Sequence, residues 1–208
     1  MNKEFGKILE KVSALYRKYG IKSVTMDDVA HELGISKKTL YQYVSDKSEL
    51  VEKAVEYTRH CNFSSLKDMK TMNGNAIEQL IEVSQRVNSL MKDHSPSYEY
   101  DLKKYYPEIF QNLMAARRKV MYESMLANIR QGKKEGVYRE ELDEVIISKL
   151  HLLRMENLQS SEIFNEEEMH TAKFFRELFI YHIHGLATLK GLEILNKNMN
   201  RLLQLEGH

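Results

Sequence analysis

Apolar residues return every three or four positions along most of the chain, and that spacing predicts a succession of helices. From Lys3 to Tyr19 the stripe is Phe5, Ile8, Leu9, Val12, Leu15, Tyr16 and Tyr19, and Gly20 closes it. Between Thr25 and Leu50, TMDDVAHELGISKKTLYQYVSDKSEL, the periods become short. Thr25 can cap a helix whose third residue is Asp28, so a hydroxyl takes an orphan amide and a carboxylate sits at the positive helix end. Val29 and Leu33 share one face, and Ala30 is the small residue that two crossing helices need at closest approach. Gly34 ends the helix, because a left-handed residue past the last turn carries little penalty without a Cβ. Ser36 caps the next helix, and Ile35, Leu40 and Val44 face back onto Val29 and Leu33. The pattern is a helix-turn-helix whose second helix keeps its other side in solvent.

Ser45 or Asp46 then starts a supporting helix through Leu50, Val51, Ala54, Val55 and Tyr57 to near Phe63. The stretch from Asn62 to Asn75, with two serines and a closing Asn-Gly-Asn, predicts the boundary between a domain of residues 1–60 and one of residues 61–208. In the second, Ile77, Leu80, Ile81, Val83, Val87, Leu90 and Met91 mark a helix stopped by Asp93, His94, Ser95 and Pro96. A short Tyr-rich helix, Tyr98 to Tyr105, follows. Pro107 fits the first position of the next helix, where its missing donor costs nothing. That helix runs through Phe110, Leu113, Met114, Val120, Met121, Met125 and Ile129 until Gly132 or Gly136 ends it. Leu142 to Leu158 and Glu166 to Leu189 read as two long helices, and Gly191 opens a short last one. The expected fold class is all-α, an N-terminal three-helix DNA-binding domain followed by a helical effector-binding and dimerisation domain.

Composition narrows this picture without changing it. With 208 residues, 42% hydrophobic and only two prolines, the chain can bury a core and is poor in helix breakers. The net charge of +1 gives no bulk signal for nucleic acid, and residues 1–60 carry 11 Lys and Arg against 9 Asp and Glu. Cys61 is the single cysteine, so no internal disulfide is expected, and its position late in a helix predicts a half-buried structural residue. No basic-then-apolar leader and no apolar run of about 18 residues is present in the sequence, which predicts a cytoplasmic protein.

At about 100° per residue from Leu40, Lys38, Gln42 and Ser45 point away from the core of the second short helix, flanked by Thr39 and Tyr41. Lysine donates to guanine and glutamine pairs with adenine, so Lys38 and Gln42 are the candidates for base contacts. Thr25, Ser36, Lys37, Thr39, Tyr41, Tyr43 and Lys47 are the candidates for the backbone contacts that position without reading. A solvated face of some unrelated bundle is the competing explanation, and the small residue, turn glycine and apolar spacing together disfavour it.

The segment GISKKTLYQYVSDKSEL resembles the signature of the TetR family of transcriptional repressors, with Gly34, Ser36, Thr39, Leu40, Tyr41, Tyr43, Lys47 and Leu50 on family positions. Lys38 stands where many members have glycine, and Val44 where many have phenylalanine. The resemblance covers about a quarter of the chain. It implies a dimer that binds double-stranded operator DNA and answers to a small effector.

Two further groups of residues acquire roles on that footing. Phe174, Phe175, Leu178, Phe179, Ile180, Ile183 and Leu186 cover more of their helix than one buried face requires, as do Val145, Ile146, Ile147, Leu150, Leu152 and Leu153. Ile146, Leu150, Leu153, Phe175, Phe179, His182, Ile183 and Leu186 are therefore expected in a two-fold interface of four helices. Tyr98, Tyr105, Phe110, Met114, Met121, Tyr122, Met125, His151 and Met155 could line an adaptable cavity for a lipophilic effector, although core packing predicts much the same set.

Catalysis finds no support. His182 and His184 diverge by about 200° on a helix. Glu167 and His170 have ligand spacing but no second pair, and a run of glutamates at a helix start suits the dipole. No cofactor or metal is expected. The function expected is a ligand-responsive, sequence-specific transcriptional regulator, most naturally a repressor released from a palindromic operator. A sequence-tolerant DNA-organising protein and a helical small-molecule binder with a vestigial DNA motif are the alternatives.

Overall fold

A computed structural model describes residues 3–67, 73–92, 95–160, 163–169 and 171–203. These form twelve helices and a lone antiparallel bridge between Tyr138 and Ala187. Two compact units divide the chain, one of residues 1–65 with 93–117 and one of residues 66–92 with 118–208.

The first unit opens with α1 (Lys3–Tyr19), α2 (Met26–Leu33), α3 (Lys37–Leu40) and α4 (Lys47–Lys67). Leu9, Val12 and Tyr16 of α1, Val29 of α2, Leu40 of α3, and Leu50 and Val51 of α4 meet in one fully desolvated core. The Tyr-rich segment, expected in the second domain, belongs here as α6 (Pro96–Tyr105). Leu102 inserts its side chain into the same core, and the buried Asp101 carboxylate accepts the Lys22 amide at 2.8 Å. The helix starts at Pro96, not at Tyr98: Ser95 caps it by accepting the Tyr98 amide, and proline at the first turn lacks only a donor that would be orphaned anyway. Cys61 is exposed on α4, which corrects the expectation of a half-buried thiol.

The second unit contains α5 (Ala76–Lys92), most of α7 (Pro107–Lys134), α8 (Glu144–Ser160), α9 (Glu166–Met169), α10 (Ala172–Leu186), α11 (Leu189–Lys197) and α12 (Met199–Leu203). Its core joins Ile77 and Ile81 of α5, Met125 and Ile129 of α7, and Ile183 and Leu186 of α10. A buried polar chain runs through it: the Tyr138 hydroxyl donates to Asn128 Oδ1 at 3.0 Å, and Asn128 Nδ2 donates to the Ala76 carbonyl at 2.8 Å. Both side chains are paired, so their burial carries no unsatisfied-group penalty.

Of the two glycines expected to end α7, the left-handed Gly136 lies just past its end, while Gly132 stays inside the helix. The Tyr138 ring occupies the space that a Cβ on Gly132 would need. The single long helix expected from Glu166 to Leu189 is broken. Asn165 and Glu168 cap α9 reciprocally, and Thr171 restarts the chain as α10 by accepting the Phe174 amide at 3.1 Å. Thr188, not Gly191, opens α11, with its hydroxyl oxygen taking the Gly191 amide. Asp93, His94 and His170, to which the sequence assigned stop or ligand roles, lie outside the described residues. No described helix is long and apolar enough to cross a membrane.

Candidate nucleic-acid interface

The turn between α2 and α3 is built from local hydrogen bonds that the sequence prescribes. Thr25 Oγ1 accepts the Asp28 amide at 3.2 Å, while Asp28 Oδ2 accepts the Thr25 amide at 2.8 Å and its hydroxyl at 2.7 Å. These bonds hold the Asp28 carboxyl below its ordinary pKa and keep it ionised at the helix start. Gly34 is left-handed with φ 66°, and the Gly34 and Ile35 amides fold back onto the His31 and Ala30 carbonyls. Ser36 Oγ takes the Thr39 amide at 3.0 Å, which starts α3.

The second helix is shorter than its apolar spacing implies. After Leu40 the Gln42 and Tyr43 amides bond three residues back, to Thr39 and Leu40, so the last turn is tightened. Val44 is buried there, and the Ser45 amide and hydroxyl both donate to Glu49 Oε2, while Asp46 Oδ1 caps α4 by accepting the Glu49 amide. The chain turns the corner between Leu40, where α3 ends, and Ser45 and Asp46, where the cap of α4 begins.

Lys37, Lys38, Tyr41 and Gln42 are exposed on this short head. The side chains of Lys38 and Gln42 have no hydrogen-bond or ionic partner among the described residues, so both are free to donate outward. The other candidates are committed in part. Lys37 Nζ pairs with Asp27 Oδ2 at 2.8 Å. The Thr25 and Ser36 hydroxyls serve as caps, and Thr39 Oγ1 bonds Ser36 at 2.8 Å. Tyr43 stacks on Phe5 with ring centroids 5.1 Å apart, and burial together with Glu4 pushes its phenol pKa up. Lys47 turns inward: its ammonium donates to the Lys22 carbonyl at 3.4 Å, and burial lowers its pKa. These two side chains brace the head where sequence reasoning had them reaching out.

Sequence reasoning missed a basic-aromatic cluster in the same unit. Lys22 Nζ lies 5.1 Å from the Tyr105 ring centre, and Lys104 Nζ lies 5.1 Å from that of Tyr100 and 5.4 Å from that of Tyr105. The hydrogen bond from Lys22 draws the Tyr105 phenol below its usual pKa. Tyr105, expected in an effector cavity, is therefore an exposed surface residue, while Tyr98 and Phe110 pack against the core of the first unit. No spacing rule links Lys22 to residues about eighty positions away, so only the fold could reveal this group.

The remaining cavity candidates divide as well. Met125 is core of the second unit, Met121, Tyr122 and Met155 are half-buried on α7 and α8, and Met114 is half-buried in the first unit's part of α7. His151 meets His182, with ring centroids 4.7 Å apart. Among the interface candidates, Ile183 and Leu186 are fully buried in their own unit, which removes them from any outer surface. Helix α10 spends that face on α5, α11 and α12, the demand that its excess of apolar residues concealed. Phe175 and Phe179 are half-buried, and Phe179 packs on the same core. Ile146, Leu150 and Leu153 are each more than half exposed along one face of α8. Among the described residues no group of three or more His, Cys, Asp or Glu could hold a metal ion.

A capped helix-turn-helix with an exposed, cation-bearing second helix, on an all-helical chain, defines the class: a DNA-binding regulator of the helix-turn-helix type. Residues 8–54 match the family described as bacterial regulatory proteins, tetR family. That match places the first helix, the helix-turn-helix and the start of α4 in the DNA-binding domain described for those regulators. It is 22% identical over 146 residues to the HTH-type transcriptional repressor KstR2 of Mycobacterium tuberculosis, a stretch covering 69% of this chain and 73% of that one. A transcriptional regulator from Cytophaga hutchinsonii has a similar fold, with a TM-score of 0.72 at 18% identity, covering 90% of this chain and 100% of the other. The structure of KstR2, described as a ketosteroid transcriptional regulator, superposes with a TM-score of 0.55 at 17% identity over 90% of this chain and 97% of that one.

Proposed function

We propose that this protein is a dimeric, ligand-responsive repressor that binds a palindromic operator through α3 and is released by a small lipophilic effector held in its second unit. The observation that carries the DNA half is the exposed pair Lys38 and Gln42 on a head where Lys37, Thr39, Tyr43 and Lys47 are held by neighbouring residues. One such head contacts few base pairs, and two reading half-sites one or more helical turns apart supply the specificity that one lacks. The unpartnered face of α8, with Ile146, Leu150 and Leu153, fits a second copy of the chain. Repression as the sign of control rests on the relative named as a repressor. An effector acts by favouring a subunit arrangement in which the two heads have the wrong spacing.

The test is selection of bound duplexes from a random pool with the purified protein, followed by footprinting and a salt titration. Enrichment of an inverted repeat is expected. Gln42→Ala then relaxes preference at one base of each half-site, worth about 1–3 kcal/mol, whereas Lys37→Ala weakens all duplexes alike. No enrichment, with affinity that depends only on salt, replaces this function by that of a sequence-tolerant DNA-organising protein.

A further inference from the structure

The second unit holds a partly buried cluster of two histidines and an arginine, and no carboxylate among the described residues pairs with the arginine. His151 and Arg154 stand three residues apart on α8, and Arg154 Nη2 lies 3.3 Å from His151 Nδ1. The His182 ring, from α10, lies 4.7 Å from that of His151. Arg154 Nε and His182 Nε2 are both shut off from water, and neither has a hydrogen-bond partner. No carboxylate among the described residues pairs with Arg154; Glu156, two positions on, is taken by Arg118. A guanidinium that gives one bond to an imidazole nitrogen and leaves a buried N–H empty is costly in a folded protein.

We propose that Arg154 and His182 form the polar end of a ligand site in this unit, one that takes the carboxylate of an apolar organic acid. The inference rests on the ligand-responsive reading and gives the effector a chemical class. Arg154 supplies a single positive charge and a planar fork, which fits a planar monoanion. The His151 nitrogen that faces Arg154 accepts, so His151 holds the guanidinium in place as a positioning residue. With its proton on Nε2, His182 donates a second bond to the bound carboxylate. Apolar residues share these helical faces: Leu178 and Phe179 precede His182 by one turn of α10, and Met155 follows His151 by one turn of α8, all of them half-buried. Burial also disfavours charge throughout the cluster. It pulls Arg154 below its ordinary pKa and lowers His151 to about 4 and His182 to about 2, His151 and Arg154 adding to the last of these shifts. A carboxylate here accepts from Arg154 Nε and His182 Nε2, which offsets the cost of burying those two groups without partners.

The experiment is calorimetric titration of the full-length protein with decanoate, 4-phenylbutyrate and benzoate, each paired with its neutral primary alcohol, together with thermal melting by circular dichroism. At least one acid is expected to bind about tenfold more tightly than its alcohol and to raise the melting temperature. Arg154→Met removes that preference, and without ligand it melts no lower than the parent, because an N–H buried without a partner has gone. Arg154→Lys keeps the charge, loses the fork and gives an intermediate preference. The proposal is overturned if no acid outbinds its alcohol, or if Arg154→Met binds the acids unchanged. It is equally overturned if Arg154→Met melts well below the parent, which makes the arginine structural. A change of oligomeric state in Arg154→Met with acid binding intact assigns the missing carboxylate to a second subunit instead. Release of selected operator DNA is measured separately: an acid that binds through Arg154 and leaves DNA bound removes the ligand-responsive reading and keeps the site.

Discussion

His151 and His182 set a pH response at the level of single side chains. Both rings stay neutral in the folded unit, at about 4 and about 2, while in the unfolded chain they take a proton near 6.5. As the pH falls below 6.5 the unfolded state binds protons that the folded state refuses, so stability is greatest above that value and declines toward pH 4. The loss is on the order of 2 kcal/mol per ring at pH 5. Thermal melting by circular dichroism should therefore fall between pH 7 and pH 5, and the His151→Gln/His182→Leu double variant should flatten that part of the profile. An unchanged slope in the double variant would mean that other groups drive it. The sequence made these residues visible as histidines on apolar helices but assigned one to a cavity and the other to an interface. Their meeting depends on how α8 packs on α10, and no local pattern encodes it. Residues whose partners are three or four positions away were legible, which is why Thr25, Ser36 and Gly34 were read as caps and Asp101, bonded to the Lys22 amide, drew no reading.

Among elements, α2 and α3 were the most legible because caps at each end delimit them. The length of α3 was not, since apolar spacing marks Val44 as buried without saying that the chain reaches it through a tightened turn. The same pair carries an internal competitor for DNA. Lys37 is held by Asp27 across the turn, and the carboxylate, itself mostly exposed, lies beside the phosphate-facing edge of the proposed site. A phosphate must displace that carboxylate before it gains the lysine. Asp27→Asn should accordingly tighten binding to operator and random duplex alike, by about threefold at low salt, and steepen the decline of affinity with salt. Anisotropy titrations at several salt concentrations measure both effects, and weaker binding by the variant would assign Asp27 a contact of its own. The break between α9 and α10 escaped the sequence for a related reason, because apolar periodicity continues across Thr171 and the cap outweighs it.

For the whole molecule, the exposed stripe of α8 is the feature that calls for a second chain. Leu150→Glu places a charge at its centre and should convert a dimer to a monomer in sedimentation velocity, with loss of tight binding to an inverted repeat while single half-sites bind as before. A monomeric parent would remove the interface. The all-helical class and the order of its elements were legible from periodicity; which unit owns the Tyr-rich helix was not. That helix gives the first unit Leu102 and the Asp101 carboxylate that secures Lys22, so the head recognisable from its motif is stabilised by residues from far downstream. The head is thus not a cassette. A hybrid regulator made by joining one relative's first sixty residues to another's remainder would pair an α1 with an α6 that did not evolve against it. Functional recombinants need three crossovers, one behind the motif and one on each side of residues 95–117, so specificity in this architecture is inherited in two pieces.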